Sequence, residues 1–157
     1  MRRFLANNYI KILRLLPALL MMTFIFVHSA MPAVVSDQES SVFAEAVARL
    51  FGLDMDTASF IVRKIAHFME YLVLGLCLMF FADGFRMPEG SSCVSHLLRR
   101  GLPAWVCGTL YAVSDEIHQR YVQGRSCEFR DVCIDAAGVL VGVGIWMLIR
   151  HIRSRRS

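Results

Sequence analysis

Four stretches of the chain are apolar over lengths that match a bilayer: Ile10–Val27, Phe60–Ala82, Pro103–Arg120 and Val132–Ile149. A membrane-spanning helix needs about 20 mostly apolar residues, within a range of about 17–25. The first stretch reads cleanly, whereas the other three carry charges inside one end. Between the first two, Val42, Phe43, Ala46, Val47, Leu50 and Phe51 recur at helical spacing, with Glu45 and Arg49 among them. That spacing predicts a short amphipathic helix lying on the outer membrane surface. Gly52 predicts its end, and Asp56 or Thr57 a cap for the helix that follows. The expected fold is all-α, a single domain over residues 1–157 forming a polytopic bundle of four transmembrane helices plus the surface helix. Neither repeats nor low-complexity tracts interrupt it.

Composition agrees: 56% of residues are hydrophobic and mean hydropathy is +0.50, too apolar for an ordinary soluble domain of this length. The first apolar stretch has the basic lead of a secretory signal in Arg2, Arg3, Lys11 and Arg14. However, His28-Ser29-Ala30 lacks a small residue three before a cut. The stretch is therefore expected to stay as an anchor.

The net charge of +4 raises nucleic acid as a partner, and its distribution argues against one. Basic residues flank the first and last spans, as topology signals do. Counting Lys and Arg puts eleven beside the N-terminus, the 83–101 loop and the tail, against six on the other side (Arg49, Arg63, Lys64, Arg120, Arg125 and Arg130). The positive-inside rule then predicts cytoplasmic termini and external loops at 29–59 and 121–130.

With that topology the charged ends of the last three spans coincide on the outer side. At about 1.5 Å per residue, His67, Asp115 and Asp135 lie about 22, 18 and 21 Å from the cytoplasmic ends of their helices. All three thus fall in the outer third of a hydrocarbon core about 30 Å thick. Lys64, His67 and Tyr71 share a helical face, with Glu70 beside His67. Tyr111, Asp115, His118 and Gln119 share another, with Glu116 off to the side, and Asp131, Asp135, Gly138 and Gly142 a third. Gly75 and Gly108 extend two of these faces, and small residues let helices approach closely in lipid. Charges within a bilayer are tolerated when they pair or line a wet cavity. The sequence therefore predicts a polar, outward-open pocket built from Lys64, His67, Glu70, Tyr71, Asp115, His118, Asp131 and Asp135, with Arg125 reaching in from the loop.

Several chemistries fit these residues. His67 and His118 can be plain interhelical hydrogen-bonding groups. No cofactor is implied, although a divalent metal would be possible if both histidines met Asp115, Glu116 or Asp131. Lys64 and Arg125 can fix helix register as ion pairs, or clamp a phosphate or carboxylate. A carboxylate beside a histidine is also a candidate acid–base pair, for which His67, Asp115, Glu116, His118 and Asp131 are the catalytic candidates. Ser114 turns away from the polar face and does not suggest a nucleophile. Cys77 and Cys107 read as membrane-buried packing residues, and Cys93 as cytoplasmic. Cys127 and Cys133 lie where a disulfide is chemically possible.

Three segments, FIFVHSAMPAVVS, KIAHFMEYLVLG and SDEIHQRYVQGRSCEFRDVCIDAAGVLVG, touch all four spans, and together they resemble the VanZ-like family of bacterial membrane proteins. The family pattern falls on Lys64, His67, Tyr71, Asp115, Glu116, His118, Gln119, Gly124, Arg125, Asp131, Gly138 and Gly142. Two positions depart from it: Gln123 stands where such proteins usually have proline, and Asp135 where they usually have asparagine. The resemblance implies a multi-pass protein of the bacterial plasma membrane, in the cell envelope, linked to antibiotic resistance through the glycopeptide teicoplanin. Its expected partners are the lipid bilayer and a lipid-linked wall precursor or peptidoglycan-related anion. The alternatives are a membrane hydrolase or transferase acting on such a substrate, and a small proton-coupled transporter. Neither reading fixes an oligomeric state.

Overall fold

A computed structural model describes residues 2–85, 87 and 92–156. Arg86 and Glu89, which enter the loop charge count, lie outside the described residues, as do the side chains of Arg2, Arg3, Asp37, Glu39, Cys93 and Arg156. Among the described residues six helices follow one another: α1 Arg2–Ser29, α2 Ala33–Phe51, α3 Met55–Ala82, α4 Cys93–His96, α5 Leu102–Gln119 and α6 Phe129–Arg156. A π-helical turn, Leu97–Gly101, joins α4 to α5. Among the described residues there is no strand.

Among the described residues three helices are long and apolar enough to cross a membrane: α1 from Lys11 to Ser29, all of α3, and α6 from Phe129 to Arg155. The expected fourth, α5, is an 18-residue helix that falls outside this set. Asp115, Glu116, His118 and Gln119 occupy its last turns and dilute its apolar run.

Helix α2 begins at Ala33, earlier than its apolar spacing suggests, and ends at Gly52 in the left-handed conformation (φ 66°). Its Ala44 and Ala48 pack on Ala58 of α3, while Val42, Phe43, Leu50 and Phe51 are exposed. The cap of α3 is Asp54, one turn before Thr57. Its carboxylate accepts the Thr57 N–H at 2.8 Å and the Thr57 hydroxyl at 2.7 Å. Thr57 therefore donates to the cap, and Asp56 lies inside the first turn.

Contacts along the helices fix their directions. Lys64 meets Asp131 near the start of α3 and α6, and Asp83 meets Arg150 near their ends, at the same sequence offset. These two helices therefore run parallel. Tyr111 with Met22, and Asp115 with Ser29, show that α5 runs parallel to α1. Arg14 with Phe80, and His28 with Glu70, set α1 antiparallel to α3.

Glycines hold the α3–α6 pair at backbone distance. A Cβ on Gly138 would collide with the Phe68 carbonyl, on Gly142 with the Leu72 carbonyl, and on Gly75 with the Val139 carbonyl. Gly108 gives the same clearance to the Val139 methyls. Tyr71, Leu74, Leu78, Met79, Ala104, Ala112, Val139 and Val143 form the core around this seam.

Polarity is inverted relative to a soluble bundle. Leu13, Leu20, Phe24, Ile65, Met69, Leu110, Ile117, Leu140 and Leu148 are exposed, whereas Ser29, Asp115, Glu116, Gln119 and Asp135 are buried. On α5, Ile117 is 54% exposed beside Glu116 at 2%. Soluble proteins bury charged residues only rarely, so this surface suits lipid.

Gly142→Ala forces a methyl into backbone and is expected to cost roughly 1–3 kcal/mol, the range for overpacking. Gly144→Ala, which meets nothing within 4 Å, gains helix propensity of up to about 1 kcal/mol. Thermal unfolding of the detergent-solubilised protein reads both, and equal effects at the two sites refute the seam. The Asp54 carboxyl is held below its ordinary range, first by the Thr57 N–H and then by the Thr57 hydroxyl. Its capping contribution is thus complete above the ordinary aspartate value of about 3.9 and is lost as pH falls through the depressed folded value. The Thr57 amide shift followed by NMR should titrate with a midpoint below that ordinary value.

Candidate functional site

The polar side chains gather at the end of the bundle where α1 and α5 finish and α3 and α6 begin. Parallel packing of α3 and α6 brings their early turns together. Lys64 Nζ donates to Asp131 Oδ1 at 2.5 Å. One turn deeper, His67 Nδ1 faces Asp135 Oδ1 at 3.7 Å, beyond hydrogen-bond reach. Asp135 is 1% exposed and lies deep against the seam.

Helix α1 contributes two side chains. His28 Nδ1 stands 2.7 Å from Glu70 Oε1. Ser29 donates its hydroxyl to Asp115 Oδ1 at 2.6 Å, and Gln119 Nε2 donates to Asp115 Oδ2 at 3.3 Å. Tyr71 is fully buried, and its hydroxyl has no hydrogen-bond partner among the described residues. Its ring meets that of Tyr111 at 6.2 Å, and the Tyr111 hydroxyl donates to the Met22 carbonyl at 2.5 Å.

The connection from α5 to α6 closes the site. Glu116 Oε1 accepts the Glu128 backbone N–H at 2.6 Å, pinning the loop to α5. Gly124 turns the chain with φ 78°, a conformation that favours glycine. Arg125 then points back, and its Nε donates to the Met31 carbonyl at 3.4 Å. The Ser126 hydroxyl, and next Arg130, hold the Glu128 carboxyl below the usual carboxylate range.

Between these elements lies a cavity of about 270 Å³ lined by Phe60, Arg63, Lys64, His67, Gln119, Gly124, Arg125, Ser126, Glu128 and Asp131. A second cavity of about 180 Å³ sits under α2 and shares Arg63, His67 and Arg125 with the first. Arg63, Lys64 and Arg125 face Glu128 and Asp131 around the larger one, which leaves an excess of positive charge. Several buried atoms here have no hydrogen-bond partner among the described residues: His67 Nδ1, Glu70 Oε2, Tyr71 Oη, His118 Nε2 and Asp135 Oδ1. Each such atom costs about 1–3 kcal/mol when nothing satisfies it.

The structure brings together Lys64, His67, Tyr71, Asp115, Gln119, Arg125, Asp131 and Asp135, with Glu70 held at the edge by His28. Two of the expected members take other roles. His118 turns toward α1 and packs on the Phe26 ring at 4.5 Å. Glu116 is buried as a loop anchor and not displaced to one side. Among the described residues no three His, Cys, Asp or Glu side chains group as metal ligands. Ser114 bonds back to the Tyr111 carbonyl. Cys77 is a half-buried free thiol, and Cys107, Cys127 and Cys133 are exposed free thiols. No Cys127–Cys133 disulfide forms, and Cys107 is not buried in packing.

His28, Ser29 and Arg63 escape the sequence reading of the site. The first two belong to FIFVHSAMPAVVS, so the signal was a polar pair ending an otherwise apolar helix. Arg63 sits beside Lys64, and only the fold turns it into the cavity.

The Lys64–Asp131 pair is half-buried, with side-chain exposures of 22% and 12%. Breaking it with Lys64→Met is expected to cost roughly 2 kcal/mol, between the range of about 0.2–1 for exposed pairs and about 3–5 for buried ones. Lys64→Met/Asp131→Leu should recover most of that loss in a double-mutant cycle read by thermal unfolding.

One family model, described as VanZ/LLP1, matches residues 14–150. No curated protein and no solved structure matches the chain.

Proposed function

The chain belongs to the VanZ/LLP1 family, and from that premise we propose that it is a four-span protein of the bacterial plasma membrane whose external pocket binds an anionic cell-wall precursor. The single observation that carries this reading is the cavity bordered by Arg63, Lys64 and Arg125, with the buried, partnerless Nδ1 of His67 in its lining. Guanidinium groups suit the pyrophosphate of a lipid-linked precursor or the carboxylate that ends its peptide. The fourth span is α5: its Val106, Leu110, Val113 and Ile117 are exposed at helical spacing, and its polar face is turned inward. Helix α2 then lies on the membrane with Val42, Phe43, Leu50 and Phe51 toward lipid. The positive-inside count supports a pocket that faces outside the cell, where glycopeptides and their targets meet.

In this reading the protein holds the precursor and lowers teicoplanin action on it. Deletion is expected to raise teicoplanin susceptibility and overexpression to lower it. Arg63→Gln/Arg125→Gln should remove the overexpression effect while the protein still reaches the membrane. Purified protein should bind a short-chain polyprenyl pyrophosphate or a peptide ending in D-Ala-D-Ala, and the double variant should bind at least about tenfold more weakly, the equivalent of about 1.4 kcal/mol. Unchanged susceptibility in both strains, with no binding of either probe, overturns the role.

One observation favours a second reading, a membrane hydrolase or transferase. His67 lines the cavity and Asp135 stands 3.7 Å behind it, so a small side-chain shift brings the carboxylate within reach of the imidazole. His67→Gln and Asp135→Asn proteins that fold, bind and keep full phenotype leave that reading without support.

A further inference from the structure

The opposite end of the bundle carries a second polar cluster that the pocket does not use. Among the described residues Asp83, just past α3, is its only acid. Arg100 donates to the Asp83 carboxylate and to the Phe85 carbonyl. Arg150 donates to the same carboxylate oxygen at 2.6 Å, and the Trp146 indole N–H donates to the other at 2.9 Å. One carboxylate thus serves two guanidinium groups, so one positive charge is left over. His96 and His151 border the same cavity of about 200 Å³. Arg100 is only 5% exposed, and its Nε is buried with no hydrogen-bond partner among the described residues, as is His96 Nδ1.

An apolar groove of about 470 Å³ adjoins this cavity. It runs between α1, α3 and α5, with Leu15, Leu19, Met22, Phe81 and Ala104 on its walls. Arg100 lines both spaces. A cationic cavity and an apolar groove that share an arginine match a molecule with an anionic head and a hydrocarbon tail. Guanidinium groups recognise phosphate oxygens in forked geometry, and basic pockets between membrane helices suit acidic head groups.

We propose that this end of the bundle holds one anionic phospholipid, its phosphate between Arg100 and Arg150 and an acyl chain in the α1–α3–α5 groove. The site is separate from the wall-precursor pocket, so it stands or falls independently of that reading. Bound there, the lipid ties α1 and α5 to the ends of α3 and α6.

The test uses the full chain in nanodiscs of phosphatidylcholine with phosphatidylglycerol, and native mass spectrometry to count retained lipids. Wild type is expected to retain one phosphatidylglycerol in preference to phosphatidylcholine. Arg150→Gln, at a half-exposed position, should lower that preference about fivefold, the effect of one basic residue near acidic lipid. Arg155→Gln, on the same helix outside the cavity, should leave it unchanged. Leu19→Trp narrows the groove from its rim and should reduce lipid retention while sparing any thermal shift produced by inorganic phosphate. Equal retention of the two lipids overturns the proposal, as does an equal loss at Arg155, which marks a diffuse basic surface. A protein stabilised by inorganic phosphate, with retention unaffected by Leu19→Trp, overturns the lipid in favour of a free anion.

Discussion

The backbone contact between α3 and α6 governs the rest of the molecule. Where Gly138 and Gly142 meet the Phe68 and Leu72 carbonyls, no side chain separates the helices. In lipid, water does not drive helices together, so close van der Waals approach between small residues has to hold them. Because the two helices run parallel, one seam sets the register at both ends. It places Lys64 against Asp131 at one end and Asp83 against Arg150 at the other. Every ion pair between α3 and α6 thus depends on clearance that a single methyl would remove.

Around that seam the chain sorts its polarity for a greasy solvent. Exposed leucine, isoleucine and phenylalanine cover the outside, and Asp115, Glu116, Gln119 and Asp135 lie within. Carboxylates in such a place demand donors. Asp115 obtains them from Ser29 and Gln119, Glu116 from the Glu128 amide, and Asp131 from Lys64. Asp135 is the exception, with Oδ1 unpartnered beside an equally unpartnered His67 Nδ1. Asp135 is also one of the two positions at which the sequence departs from the VanZ-like pattern.

The two ends of the bundle solve similar problems differently. At the pocket end, acids and bases alternate across three helices and a loop, and the cavity keeps a modest positive excess. At the other end one aspartate faces two arginines, with Lys11 and Arg14 stacked nearby on the Phe85 and Phe80 rings. Stacking on an aromatic face stabilises a cation without an acid. The charge asymmetry that suggests topology in the sequence is thus also an asymmetry in how charges are satisfied.

The sequence by itself determined the helical class, three of the apolar spans, the Gly52 stop and the faces that carry the polar residues. These follow from local chemistry: hydrophobic run length, the 3.6-residue repeat and the backbone freedom of glycine. It also held the family pattern. Tertiary structure decided which faces meet. His67 and His118 occupy polar faces of different helices, yet α5 is rotated so that His118 rests on Phe26 and Glu116 on the 128 amide. Rotation about a helix axis depends on which neighbour offers clearance, and Val139 fitting against Gly108 is a fact of two chains of atoms, not of one. His28 and Ser29 entered the site for the same reason: the end of α1 reaches Glu70 and Asp115 only after four helices have chosen their directions.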